Sequence, residues 1–172
     1  MTQSTTNLPA PDATEIPAEA PVSQPALVSS IEAVTRSRLV TVGLDTRLVE
    51  VAALLSARQI SLVVVCDAAG ASVGVITETI LVRQLGVGHA GVFTTRAGEV
   101  MAHDFTVCQA TDSLSEILTM MHQRGLIHVP VVDEDKHPIG VLNARDGLRA
   151  LLAQDNYEET LLRNYVMGIG YQ

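Results

Sequence analysis

The chain has 172 residues, 47% of them apolar, which is enough for the core of one domain or two small ones. Its net charge of −8 and scattered basic residues exclude the clustered Lys and Arg that non-specific nucleic-acid or anionic-membrane binding requires. No apolar run approaches the roughly 20 residues of a membrane span, and no basic region leads into an apolar block at the start, so the expected location is cytoplasmic, with neither a nucleic-acid nor a membrane partner.

Trp is absent and aromatic residues make up 3% of the chain, so the core must be aliphatic. Cys66 and Cys108 are too few and too far apart for a disulfide framework, and each reads as a small buried hydrophobe.

Residues 1–29 read as a disordered tail, with Pro9, Pro11, Pro17, Pro21 and Pro25 among Ala, Thr and Ser. Val28 to Arg38 is a weakly helical lead-in, and Leu39 to Val42 a short strand. Asp45-Thr46 opens a helix whose apolar face is Leu48, Val51, Ala52, Leu54 and Leu55, and Arg58-Gln59 closes it. Ile60 to Cys66 is a buried strand, Asp67 to Gly70 a turn, Val73 to Ile76 a second strand, and Thr77 to Leu85 a second helix. Gly86 to Gly91 matches G-x-G-x-x-G, but a dinucleotide fold needs that pattern after a strand and here it comes after a helix. It reads as a connector whose glycines end the helix. A short turn, Ala97 to Met101, feeds a second unit.

That unit repeats the first. Phe105 to Cys108 is a strand, and Asp112-Ser113 caps a helix with capping-box spacing from Ser113 to Glu116. That helix carries Leu114, Ile117, Leu118 and Met121 on its apolar face and stops at Arg124-Gly125. Leu126 to Val132 and Ile139 to Asn143 form a hairpin around the polar turn Asp133 to Pro138, and a helix runs from about Gly147 to Leu152. A single offset of 66 pairs Leu48 with Leu114, Glu50 with Glu116, Arg58 with Arg124, Asp67 with Asp133, Gly74 with Gly140 and Arg83 with Arg149. The fold class is therefore α+β: tandem β-α-β-β-α units packed with pseudo-two-fold symmetry. The boundaries are 31–96 for the first repeat with its linker and 97–153 for the second. Residues 154–172 form a separate C-terminal helix, capped by Asp155 or Asn156, and a tail.

The chemistry-bearing end of the second hairpin is Asn143-Ala144-Arg145-Asp146. A helix start with an amide, a guanidinium and a nearby imidazole, His128, suits a phosphate, and the adjacent carboxylate suits a sugar diol. Each has a plainer reading: Asp146 as a helix cap, His128 as a structural histidine, and Arg145 as the partner of Asp146 or Glu134 in a weak surface pair. His89, His103, His122 and His137 show no metal-ligand spacing. No nucleophile–base set or paired carboxylates can be argued, so no catalytic role is assigned.

Tandem units of this kind, each with a V-V-D or V-C-D turn and a G-V-[IL] strand before a polar helix start, resemble the CBS-domain pair, or Bateman module. The resemblance covers about Ile31 to Leu152. The Val100-Met101 step between repeats and the ending Glu158 to Tyr165 look like those of small standalone bacterial members. It implies a regulatory module that binds an adenosyl ligand of AMP, ATP or NAD type between the repeats, forms a homodimer, and signals to a separate protein partner. The family's site motif, G-h-h-[ST]-x-x-D, reads Gly140-Val141-Leu142-Asn143-Ala144-Arg145-Asp146 in the second repeat, which makes Asp146 the ribose ligand and Asn143, Arg145 and His128 the phosphate contacts. In the first repeat Ile80 and Leu62 stand where Asp146 and His128 do, so that site is degenerate. An aliphatic side chain leaves both ribose hydroxyls unpaired, at roughly 1–3 kcal/mol each. The resemblance also places the adenine against the lead-in from Thr35 through Thr41, with Val40 as an apolar wall, and Pro130 joins the set. The alternative is a ligand-free dimerisation or scaffold module.

Overall fold

A computed structural model describes residues 25–86, 91 and 93–168, with backbone alone from 157 onward. Residues 1–24 of the proposed tail and most of the glycine connector lie outside the described residues, as do the side chains from 157 onward; the end of the expected disordered tail, 25–29, is instead folded, with Val28 buried.

Each repeat is a three-stranded mixed sheet with helices on one face. In the first, Thr41–Gly43 (β1) runs parallel to Leu62–Cys66 (β2), which pairs antiparallel with Ser72–Thr77 (β3). Leu48–Arg58 (α2) and Glu78–Gly86 (α3) come after β1 and β3, and Glu32–Ser37 (α1) precedes β1. In the second, Cys108–Gln109 (β4), His128–Val132 (β5) and Pro138–Asn143 (β6) repeat the order and pairing. Ala97–Val100 (α4), Leu114–Arg124 (α5) and Ala144–Gly168 (α6) complete it. The strands alternate as half-buried strands do. Val63 and Val65 face the helices of their own repeat, and Leu62 and Val64 face the other repeat. The fold is α+β, built as tandem repeats.

The local signals are duplicated at the 66-residue offset. Both hairpins turn on an aspartate: Asp67 Oδ1 accepts the N–H groups of Ala69 and Ala71 at 2.9 and 3.0 Å, and Asp133 Oδ1 those of Asp135 and His137 at 3.0 and 2.8 Å. α2 and α5 both end on a left-handed residue, Gln59 at φ 52° and Gly125 at φ 66°.

The repeats exchange their lead-ins. Ala97, Val100 and Met101 pack into the core of the first repeat, with Val51, Leu55, Val63 and Ile76. Ala26, Val28 and Ile31 pack into that of the second, with Leu114, Met121, Val129 and Leu142. Backbone bonds repeat the exchange: Leu48 N–H donates to the Thr95 carbonyl and Leu114 N–H to the Ala26 carbonyl, both at 2.8 Å. Leu62, Val64, Val75 and Val141, flanked by Leu39, Ala102 and Phe105, form a third cluster between the sheets. Burying each such aliphatic side chain stabilises the fold by about 1.5–3 kcal/mol, so neither sheet face is left wet. The hairpin tips also meet, with Ser72 N–H and Oγ both donating to the Lys136 carbonyl at 2.9 Å.

Several boundaries differ from the sequence reading. The two expected C-terminal helices are one, Ala144–Gly168. No Gly or Pro separates them, and Asp155 and Asn156 are weak helix formers rather than breakers. The helix expected to open at Asp45-Thr46 begins at Leu48, because Thr46 Oγ1 accepts the Gly43 N–H at 3.1 Å in a turn. The Phe105 to Cys108 strand shrinks to Cys108–Gln109, since Phe105 packs between the repeats. The capping box does not form. Ser113 occupies the N-cap position, but its hydroxyl bonds Ser115 Oγ at 3.0 Å, and the second repeat's helix is tied instead by the Ala26 carbonyl. Cys108 is buried, and burial pushes its thiol up to about 12. Cys66 is partly buried and its thiol is also raised, mainly by desolvation.

Candidate ligand-binding site

His128 and Asn143 are register partners at the ends of β5 and β6, so their side chains lie side by side on the face turned to the other repeat. Asn143 precedes α6 and caps it: its Oδ1 accepts the Arg145 N–H at 2.8 Å. That bond fixes the amide's orientation and turns Nδ2 towards His128 Nε2, at 2.9 Å. Because Nδ2 can only donate, Nε2 must accept, which keeps the imidazole neutral with its proton on Nδ1. Burial lowers the His128 pKa in the same sense. The Arg38 charge lowers it further, against a smaller opposing pull from Glu78 and Asp146.

Asp146 lies in the first turn of α6, where a carboxylate suits the helix dipole. Arg38, the residue that closes α1, donates from Nε to Asp146 Oδ2. The carboxylate is 13% exposed and the guanidinium 33%. α1 reaches this position because β6 carries a glycine beneath it: a Cβ on Gly140 would lie 2.7 Å from Thr35 Oγ1.

Arg38, Leu62, His128, Val141, Asn143 and Arg145 line a cleft of about 250 Å³ between the repeats, with the Gln59 to Ser61 loop and Ile127 completing its walls. Asp146 reaches this cleft only through Arg38. A second cleft, of about 230 Å³, is related to the first by the 66-residue offset. Thr77 stands there for Asn143 and Asp104 for Arg38. Phe105, Arg124 and Pro130 also line it, and the Arg124 guanidinium donates to Thr106 Oγ1 at 3.1 Å. A third space, of about 320 Å³, lies between the starts of α3 and β5, and His128 borders all three. Among the described residues no group of three or more His, Cys, Asp or Glu is placed to hold a metal.

Of the residues singled out from sequence, the fold gathers His128, Asn143, Arg145 and Asp146. The others lie elsewhere. Thr35 is buried against Gly140, with its hydroxyl donating to the Glu32 carbonyl at 3.0 Å. Val40 packs against the first repeat's core, and Thr41 sits exposed on β1 opposite Val64. Pro130 lines the second cleft. Arg145 and Asp146 do not pair, since Asp146 takes Arg38. Arg38 falls inside the Thr35 to Thr41 stretch but was not distinguished there, because an arginine at the end of a short helix carries no motif and its partner lies 108 residues away.

The depressed His128 pKa makes stability pH-dependent. The unfolded imidazole titrates near 6.5 and the folded one lower, so as pH falls the folded state takes up fewer protons than the unfolded state. The contribution is fully present above pH 6.5 and is lost as pH drops through the folded value. The melting-temperature difference between wild type and His128→Gln, which keeps an acceptor for Asn143, is therefore expected to be constant from pH 7 to 8. Below pH 6.5 it should move steadily against the wild type. A difference flat down to pH 5 would show that His128 is not held neutral.

The sequence profile of the CBS domain matches residues 28–86 and 97–153, more than half of the chain. A CBS-domain containing protein from Agrobacterium tumefaciens is similar in structure, with 28% identity, coverage of 73% of this chain and 98% of that one, and a TM-score of 0.64. A protein with CBS domains from Burkholderia ambifaria has 21% identity, 74% and 95% coverage and a TM-score of 0.65. The CBS domain pair of protein MJ0100, solved in complex with 5′-methylthioadenosine and S-adenosyl-L-methionine, has 21% identity, 76% and 98% coverage and a TM-score of 0.64. No curated protein sequence matches the chain. With its profile matched twice, its strand order duplicated and its lead-ins exchanged, the chain belongs to the CBS-domain family and carries two CBS repeats in tandem.

Proposed function

We propose that this CBS pair is a regulatory, non-catalytic sensor that binds one adenine nucleotide, of AMP, ATP or NAD type, in the first cleft and passes the bound state to a separate protein partner. The observation that carries the reading is the convergence of Arg38, Arg145 and a neutral His128 on one cleft between the repeats, with the Asp146 carboxylate held behind it by Arg38. A carboxylate suits the ribose hydroxyls, and guanidinium groups suit phosphate. Support for an adenosyl class comes from MJ0100, whose two ligands share the adenosine moiety. Because the cleft walls come from both repeats, a ligand there favours one inter-repeat packing over another, which is the differential affinity that signalling requires. Calorimetry with AMP, ADP, ATP, NAD, NADH and S-adenosylmethionine tests the reading. At least one nucleotide is expected to bind with measurable heat, with no turnover on chromatography of the incubated ATP. No heat and no thermal shift with any of them rejects it.

A second reading, a ligand-free scaffold, is favoured by one observation: Arg38 already satisfies the Asp146 carboxylate. The same panel separates the two. Both readings include a homodimer. Its support is an apolar groove of about 550 Å³ between α2 and α3, lined by Val49, Val82, Leu85 and Phe93, all of them exposed. At the corresponding place in the second repeat, Gly147 lets α6 approach Leu114 and Leu118, whereas Leu81 holds the equivalent position in α3. No described helix is long and apolar enough to cross a membrane, and a cytoplasmic location is part of the proposal.

A further inference from the structure

The Asp146 carboxylate does not line the first cleft, because Arg38 stands between them and holds it. This ion pair joins the end of α1 to the start of α6, and it is largely shielded from water. We propose that Arg38 makes the cleft selective for phosphate-bearing adenosyl ligands, by giving up Asp146 to the ribose and taking the ligand phosphate in its place. The inference rests on the reading that the cleft binds an adenosyl ligand.

The exchange is dictated by the charges. A ribose diol is neutral. A carboxylate that trades a guanidinium for two hydroxyls loses a charge-assisted bond, which is roughly twice as strong as a neutral one. The guanidinium left behind is only a third exposed, so water replaces its partner incompletely. A ligand that brings ribose alone therefore opens the pair at a net loss. A phosphate attached to the same ribose restores the balance, since guanidinium binds phosphate through two parallel N–H donors.

The remaining groups reinforce the sign. Arg145 lines the cleft and makes no ion pair among the described residues. With Asp146 committed to ribose, two guanidinium groups face the ligand beside an uncharged imidazole. An anion is favoured there, and a sulfonium, as in S-adenosylmethionine, is opposed. The second cleft cannot make this exchange. Asp104 stands at the Arg38 position and Ile80 at the Asp146 position, so the Arg38–Asp146 pair has no counterpart at these positions.

The test is calorimetry on the full chain at pH 7.5 with AMP, adenosine and S-adenosylmethionine, for wild type, Arg38→Gln, Arg38→Lys and Arg145→Gln. Wild type is expected to bind AMP at least 10-fold more tightly than either phosphate-free ligand. Arg38→Gln is expected to weaken AMP by 10-fold or more while adenosine binds as well as before or better, because Asp146 has been released. Arg38→Lys, which keeps the charge but loses the two-pronged geometry, should fall between wild type and Arg38→Gln. Arg145→Gln should weaken AMP without improving adenosine. A fall in both AMP and adenosine by the same factor in Arg38→Gln would mean a purely structural role and overturn the exchange. So would wild-type binding of adenosine as tight as that of AMP. Binding of none of the three by wild type overturns the adenosyl-site reading itself, and the exchange with it.

Discussion

Gly140→Val is expected to lower the melting temperature by about 5–15 °C, the shift that about 2–4 kcal/mol of overpacking produces in a domain of this size. A Cβ at this position would lie 2.7 Å from Thr35 Oγ1, 2.9 Å from Thr35 Cβ and 3.1 Å from the Thr35 carbonyl carbon. Two of these three atoms cannot turn away without moving α1. Since α1 ends at Arg38, a displaced α1 also withdraws the guanidinium from Asp146, so nucleotide binding should fall together with stability. Thr35→Ala in the same chain removes the hydroxyl and the γ-methyl but leaves the Cβ and carbonyl carbon in place, and should recover a minor part of the loss. Gly74, the counterpart in β3, gives a graded comparison. Its closest neighbour is the flexible end of the Met101 side chain, so Gly74→Ala should cost less than Gly140→Ala. Gly86→Ala, with nothing within 4 Å, should leave the melting temperature unchanged or slightly raised. Circular dichroism melts of the four single variants decide the matter. A Gly140→Val chain that melts with the wild type would mean that α1 does not pack on β6 as described.

Legibility in the linear chain depends on which interactions are local. The hairpins were legible because β-branched runs flank an aspartate turn, and the 66-residue offset was legible because Gly74 and Gly140, or Asp67 and Asp133, are compared residue by residue without any fold. The positions of His128, Asn143, Arg145 and Asp146 were legible for the same reason: one hairpin and the helix start after it carry all four. Interactions that cross between repeats were not. The exchange of lead-ins depends on Thr35 meeting Gly140, and the ion pair on Arg38 meeting Asp146, and neither contact leaves a periodic mark. Helix starts failed for a related reason. Ser113 has the residue type and spacing of a cap, yet the first N–H of α5 goes to Ala26, a carbonyl delivered from the other end of the chain. Thr35, Val40 and Thr41 illustrate the limit in the other direction. A stretch of lead-in can be assigned to a cleft wall, but only the packed structure separates Arg38, which lines the cleft, from its neighbours, which fill cores or face solvent.

The second large effect is a separation of binding from stability between two residues at equivalent positions. Asp146→Ala is expected to weaken AMP by at least 10-fold, or about 1.4 kcal/mol. It should also cost about 1–3 kcal/mol of stability, because the Arg38 guanidinium, only a third exposed, is left without its partner. Ile80→Ala should cost stability alone. Ile80 packs against the first repeat's core, so removing it leaves a partial cavity and costs about 1–3 kcal/mol, while AMP binds as it does to wild type. Asp146→Asn keeps the shape and one acceptor but not the charge, and should lie between wild type and Asp146→Ala in affinity. Calorimetry and thermal melts on the same preparations read both quantities. Equal losses of affinity from Asp146→Ala and Ile80→Ala would mean that the loss comes from damaged packing and that neither residue meets the ligand. Unchanged affinity in Asp146→Ala, with AMP still bound, would move the ribose contact away from α6. The expected contrast has a physical origin in the repeat. The 66-residue offset places both residues in the first turn of the helix that succeeds a hairpin, but Ile80 is absorbed into the core behind its sheet, and Asp146 is held from across the repeat boundary by Arg38. The same backbone position therefore serves packing in one copy and a charged, displaceable contact in the other, and only the second leaves a group that a ligand can take over.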